Sequence, residues 1–136
     1  MPDDSKTLAK RWFEEVWNQK SEAAIDALFG AESRAYGFPE PDAVVTGPEA
    51  FKQLHRDFCG AFPDLRITLD SVIAEGDTVA VRWHVDATHK GNHLGFPASG
   101  KKASLTGMSF LKVGHGQILD GWNQMDMAGL FRRLQA

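Results

Sequence analysis

The sequence predicts an α+β fold: N-terminal helices packed on one face of a curved antiparallel sheet, a cone-shaped α+β barrel enclosing a cavity. Three observations predict it. Apolar residues recur in pairs every four positions near the N-terminus, and a second apolar stripe runs from residue 51 to 62. From residue 65 onward the period changes to two. Gly76-Asp77 and Gly114-His115-Gly116 then divide that region into consecutive strands.

The first helix carries Leu8, Ala9, Trp12, Phe13, Val16 and Trp17 on one broad face, with Asp4 or Ser5 able to cap its start. A second, short helix starts at Ser21, buries Ile25, Leu28 and Phe29, and is expected to end at Gly30. Residues 31–46 contain Pro39 and Pro41 and show no clean period, which predicts a loop with a short strand near Arg34–Tyr36. Thr46-Gly47-Pro48-Glu49 reads as a capping box for a third helix with Phe51, Leu54, His55, Phe58 and Phe62 on one stripe, and Pro63 stops it. Leu65, Ile67 and Leu69 alternate. A long strand follows, with Val79, Val81, Trp83, Val85, Ala87 and His89 on one face. A Gly-rich loop, KGNHLGFPASGKK, precedes strands at 103–113 and 117–125, and residues 127–134 form a last helix.

A length of 136 residues fits a single domain spanning 1–136. With 43% hydrophobic and 24% charged residues, the composition is that of an ordinary soluble protein. The net charge of −3 comes without a basic stripe, which argues against nucleic acid and anionic membrane as partners. One cysteine, Cys59, cannot form an intramolecular disulfide, in keeping with a cytoplasmic setting. The charged N-terminus lacks the apolar core of a secretory signal, and no apolar run reaches transmembrane length.

Alternation sorts the strand residues by face. Leu105, Gly107, Ser109, Leu111 and Val113 form the more apolar set of one strand, and Leu119, Gly121, Asn123 and Met125 that of the last. Ser109, Asn123 and His89 therefore point inward, whereas Asp120 and Asp126 point outward. An inward Asn requires a pocket or a satisfied polar network. Asp126, at the start of the last helix, suits an N-cap. His89 and His93 lack a third ligand of matching placement, so no metal site is expected. Cys59 has no evident activating neighbour. The cavity is expected to be lined by Trp12, Phe51, Phe58, Trp83, Val85, Leu105, Ser109, Asn123 and Met125. On the opposite sheet face Met108, Phe110 and Trp122 mix with Arg82, His84 and Gln124, which predicts a homodimer packed sheet against sheet.

Five stretches taken in order, WFEEVWNQK, TGPEAFKQL, FPDLRI, THKGNHLGFPASGKK and GQILDGWNQMDMAGLFRRL, resemble the SnoaL-like polyketide cyclase family within the nuclear-transport-factor-2-like superfamily. The resemblance spans nearly the whole chain. It implies a small-molecule pocket and, by analogy with the family's cyclases, an intramolecular aldol ring closure that needs no cofactor. In that family an Asp on the last strand serves as acid and base, assisted by a His on the preceding strand and an Asn before the third helix. Those positions fall on Asn123, Ser109 and near Tyr36, so the resemblance carries over the pocket and not the proton-transfer set. Three readings follow. In the first, Asn123, Ser109 and Tyr36 bind a carbonyl or hydroxyl of a small apolar molecule in an enzyme, with His89 as the inward side chain of a type that titrates near neutrality. The second is a binding protein without catalysis. The third is an epoxide hydrolase or ketosteroid-isomerase-like enzyme, which needs an inward carboxylate.

Overall fold

The computed structural model describes residues 4–136. The fold is α+β. Helix α1 (Ser5–Arg11) runs directly into a π-helical segment, Trp12–Asn18, and helix α2 covers Glu22–Leu28. Strands β1 (Phe29–Tyr36) and β2 (Val44–Thr46) precede helix α3 (Pro48–Ala61). Strands β3 (Arg66–Glu75), β4 (Thr78–Thr88), β5 (Lys102–Gly114) and β6 (Gln117–Met125) follow, and helix α4 spans Met127–Gln135. The six strands make one sheet in the order β2-β1-β6-β5-β4-β3. The sheet curves without closing, so β2 and β3 remain edges and the helices complete the wall of the cone.

The capping chemistry sets most of the helix starts. Asp4 accepts from the Thr7 amide, Ser21 from that of Ala24 and Asp126 from that of Gly129. Helix α3 departs from the predicted capping box. Thr46 belongs to β2, and the N-cap is Gly47 at φ +83°, without a side-chain cap. Pro48 fills the first helical position, where a missing N–H costs nothing.

The first helix does not stay α-helical. Its apolar pairs are four apart, and Trp12, Phe13, Val16 and Trp17 are all buried in the widened turn. Gln19 N–H reaches back to Glu14 O at 2.9 Å, an i→i+5 bond. His55 of α3, itself 2% exposed, contacts Val16 O through Nε2 at 2.6 Å and packs on the Trp17 ring at 5.0 Å. Asn18 at the segment's end binds Ile67 on both sides: its amide donates to Ile67 O at 2.9 Å and its Oδ1 accepts from Ile67 N at 2.7 Å. A side chain thus stands in for a neighbouring strand at one end of the β3 edge.

Strands β3 to β6 form the predicted antiparallel meander. Of residues 31–46 only 37–43 form a loop: the strand expected near Arg34–Tyr36 is present but longer, reaching back to Phe29, and β2 adds Val44–Thr46. Gly30 continues a strand rather than ending a helix, and β1 runs parallel to β6, pairing Ala35 with Gly121 and Tyr36 with Trp122. Its register shifts between Phe29 and Arg34, where Ser33 Oγ donates to Ile118 O at 2.6 Å and accepts from Gly30 N at 2.8 Å. β6 carries a bulge of its own: Val113 pairs with Ile118, but Lys112 pairs with Asp120. The inward residue is therefore Ile118, 1% exposed, and not Leu119 as simple alternation predicts.

Phe58 tests how α3 is held. Its ring lies 4.9 Å from Phe38 and 6.4 Å from Phe62, and it borders the interior cavity. Large-to-small aromatic truncation in a core costs about 3–5 kcal/mol. Because Phe58 already faces open space on one side, Phe58→Ala is expected at the lower end, about 3 kcal/mol, by chemical denaturation. A loss below about 1 kcal/mol would show that α3 does not depend on this contact.

Candidate functional site

The interior of the cone holds a cavity of about 90 Å³. Its wall is built from the inward sets of β4 (Trp83, Val85, Ala87), β5 (Ala103, Leu105, Leu111) and β6 (Ile118, Gly121, Asn123, Met125). Trp12, Phe13 and Trp17 of the π-helical segment, Phe51 and Phe58 of α3, and Met127 and Leu130 of α4 close it. For scale, an apolar cavity of about 150 Å³ accommodates benzene. The space is therefore small, and even a one-ring ligand requires side chains to move.

Among the described residues Asn123 is the wall's one polar side chain apart from the Trp indoles. A directed series of hydrogen bonds fixes it. Trp83 Nε1–H donates to Ser109 Oγ at 3.0 Å. That hydroxyl spends its own proton on Asn123 Oδ1 at 2.7 Å, and Asn123 Nδ2 donates to the backbone carbonyl of Tyr36 at 2.9 Å. The Tyr36 carbonyl can only accept, so Asn123 must present Nδ2 to it and Oδ1 to Ser109, whose hydroxyl is then the donor there and the acceptor of the indole N–H. Gly107 makes the first bond possible. It pairs with Trp83, whose indole lies where a Cβ at Gly107 would sit. The second Nδ2 proton has a distant partner, Gly121 O at 3.5 Å, whereas Oδ1 keeps an unused lone pair.

Each predicted site residue now has a place. Trp12, Phe51, Phe58, Trp83, Val85, Leu105, Asn123 and Met125 border the cavity. Ser109 is 2% exposed and lies behind Asn123, not on the cavity surface. Tyr36 corrects the expectation: its phenol lies on the outer face, stacked on Trp122 at 5.5 Å and 3.5 Å from Asp120, and only its carbonyl reaches Asn123. The parallel β1–β6 pairing puts Tyr36 beside Trp122, an outward residue, and so sends the ring outward. His89 does not border the cavity either. It is fully buried one layer behind Phe62, with ring centroids 5.6 Å apart. Phe38, Phe62, Ile118 and Met127 line the space and were not predicted from strand alternation; Phe62 alone lay on an identified helix stripe.

The titratable side chains nearest the helices are not poised for chemistry. Burial pushes the Cys59 thiol up to about 11, which keeps it protonated. Burial lowers the pKa of His55, and its ring is committed to Val16 O. Asp126 is the α4 cap, and among the described residues no three His, Cys, Asp or Glu side chains gather as a metal site. None of the described helices is long and apolar enough to cross a membrane.

Comparison with known proteins agrees with this fold. The model of the family described as SnoaL-like polyketide cyclase matches residues 7–134. No curated protein matches. Among solved structures, TsrD from Streptomyces laurentii is similar at 29% identity, with 94% of this chain and 92% of that one covered and a TM-score of 0.78. AclR from Streptomyces galilaeus is similar at 28% identity, covering 96% and 80%, with a TM-score of 0.81. A SnoaL-like chain from Jannaschia sp. CCS1 shares the fold at 20% identity, covering 100% and 97%, with a TM-score of 0.85.

The directed series predicts the behaviour of Asn123→Asp. A carboxylate would set an oxygen against Tyr36 O, where the amide now donates at 2.9 Å. To donate there the new side chain must stay protonated, so its folded-state pKa is raised above the ordinary Asp value of about 3.9. A raised pKa gives stability that is fully present below about pH 4 and lost as pH rises through the folded value. The variant is expected to lose about 1–3 kcal/mol relative to the native protein at pH 8 and much less at pH 4. Equal deficits at both pH values, by chemical denaturation, would contradict the assigned bond directions.

Proposed function

The chain belongs to the SnoaL-like polyketide cyclase family, and from that premise we propose that it binds a small, largely apolar molecule through one oxygen function, held by Asn123. The proton-transfer step of a cyclase is absent from this reading. One observation carries it: among the described residues no titratable side chain borders the cavity, and the single non-aromatic polar group there is an amide. An amide accepts and donates hydrogen bonds but exchanges no proton near neutral pH. General acid–base catalysis is worth about 10²–10⁴-fold in rate where it operates, so its loss removes most of a cyclase's chemistry. The resemblance agrees, since the family's acidic position falls on Asn123. Isomerase or epoxide hydrolase chemistry lacks support for the same reason, because both need an inward carboxylate and none among the described residues borders this cavity.

The free lone pair on Oδ1 favours a hydroxyl as the oxygen function, with the aromatic wall taking the rest of the molecule. A small-molecule partner suits the charge of −3 better than nucleic acid does, and the single cysteine accords with a cytoplasmic setting. The test uses p-cresol against toluene, which differ by one hydroxyl. The native protein is expected to bind p-cresol about two- to tenfold more tightly by NMR titration, the range one hydrogen bond gives. Asn123→Leu should erase the preference while still binding toluene. The reading fails if neither molecule binds at millimolar concentration, or if the preference survives the substitution.

The outer sheet face supports a homodimer. Register places Ile73, Ala80, Phe110, Trp122, Tyr36 and Val44 in one row across all six strands. Met108 lies in the neighbouring row and is 61% exposed, while Phe110 is 56% and Trp122 45% exposed. Beside them His84 lies 2.9 Å from Asp70, which raises its pKa, so the apolar row has a polar margin. We expect a dimer by light scattering at micromolar concentration, and a monomer for Trp122→Glu with an unchanged circular dichroism spectrum. A native monomer rules the dimer out.

A further inference from the structure

His89 is 0% exposed, and its Nε2 has no hydrogen-bond partner among the described residues. Its Nδ1 is engaged: the Ser99 backbone N–H donates to it at 3.1 Å, and Ser99 Oγ lies 3.0 Å away. A backbone amide can only donate, so Nδ1 is the acceptor and the proton of the neutral ring sits on Nε2. The result is a buried N–H donor without an acceptor. Such a group is costly enough that each instance in a folded protein calls for an explanation.

Its position supplies one. The inward row of β4 runs Trp83, Val85, Ala87, and all three border the cavity. Strand-like pairing continues past the end of β4, since His89 N–H donates to Lys101 O at 2.9 Å and Gly100 N–H to His89 O at 2.8 Å. His89 is therefore the next member of the cavity row. The Phe62 ring both borders the cavity and packs on the imidazole. Phe96 packs on the imidazole as well, at 5.3 Å.

We propose that His89 is a second ligand-binding residue, whose Nε2–H donates to a carbonyl oxygen of the ligand once the Phe62 ring turns aside. This rests on the reading of the cavity as a binding site and extends it. The two polar points differ in kind. Asn123 offers a free acceptor and suits a hydroxyl; His89 offers a free donor and suits a carbonyl. The ligand class is thus an apolar, ring-containing hydroxy-ketone longer than the cavity now accommodates. Turning Phe62 lengthens the space toward the end where Ala87 pairs with Ala103.

The test compares 1-tetralone with tetralin, which lacks only the carbonyl oxygen. The native protein should bind 1-tetralone about fivefold more tightly than tetralin, within the range of one hydrogen bond. His89→Asn keeps an acceptor oxygen near the Ser99 amide and removes the Nε2 donor. It should bring the ratio close to one and leave the affinity for tetralin unchanged. A purely structural role would instead weaken both ligands together, and that result overturns the proposal, as does an unchanged ratio. On the native protein, 1-tetralone should move the His89 Nε2–H resonance downfield. A silent His89 while the Met125 methyl shifts also overturns it. If p-cresol binds through Asn123 and the His89 measurements fail, this inference alone falls. If neither p-cresol nor 1-tetralone binds, the cavity reading falls with it.

Discussion

The structure depends on one mismatch of size. The inner face of a six-stranded sheet is wide and apolar, and four helical segments, none longer than α3, must cover it. They do so with rings. Trp12 stacks on Phe29 at 5.5 Å and meets Phe51 at 5.0 Å, Trp17 meets Phe38 and Phe51 near 6 Å, and Phe58 continues the cluster. Flat, rigid side chains span the gap between helix and sheet but do not fill it to crystal density, and the remainder is the cavity. The π-helical turn belongs to the same solution. It presents Trp12, Phe13, Val16 and Trp17 to one side within two turns, and His55 and Asn18 secure the backbone that this geometry leaves under-bonded.

A polar group in such a surrounding survives only when its bonds are complete. The series from Trp83 through Ser109 and Asn123 to Tyr36 O gives each of its four members a partner, three through side chains and the fourth through backbone, and leaves one lone pair of Asn123 Oδ1 over. It joins β4, β5, β6 and β1, the four central strands, inside the hydrophobic layer. The same bonds that hold the sheet together set which atom of Asn123 remains available to a ligand. His89 is the contrasting case. Its Ser99 bonds pin the 89–101 loop to the end of β4, and one nitrogen is left over.

How much of this was legible follows from which interactions are local. The β4 and β5 faces, the α3 stripe and the Asp126 cap depend on neighbours within a few residues, and the sequence pattern shows them. β1 does not. Gly30, Ala31 and Glu32 are poor strand formers, and the strand extends across them because Phe29 on one side and Arg34–Tyr36 on the other pair with β6, some 85 residues away. The direction of Tyr36 depends on that distant partner too. Gly47 was missed because its role is a backbone conformation, φ +83°, whereas Thr46-x-x-Glu49 matches a side-chain pattern that the β2 pairing overrides. Asn123, Met125 and the outward Trp122 were read correctly; Leu119 was not, because a bulge carries no composition of its own.

That bulge has an evolutionary meaning. Counted back from the His115-Gly116 turn, Gly114 pairs with Gln117 and Val113 with Ile118, and the extra residue Leu119 then restores Lys112 to Asp120. Insert one residue after Leu119, with the bulge otherwise unchanged, and every side chain beyond it changes face. Asp120 would then stand where Gly121 now meets Leu111, inside an apolar chamber, and Asn123 would turn to solvent. The chemical character of this interior is therefore set by parity as well as by residue identity. A single-codon insertion in one hairpin can exchange an amide-lined chamber for one containing a carboxylate, without any substitution at the lining positions themselves.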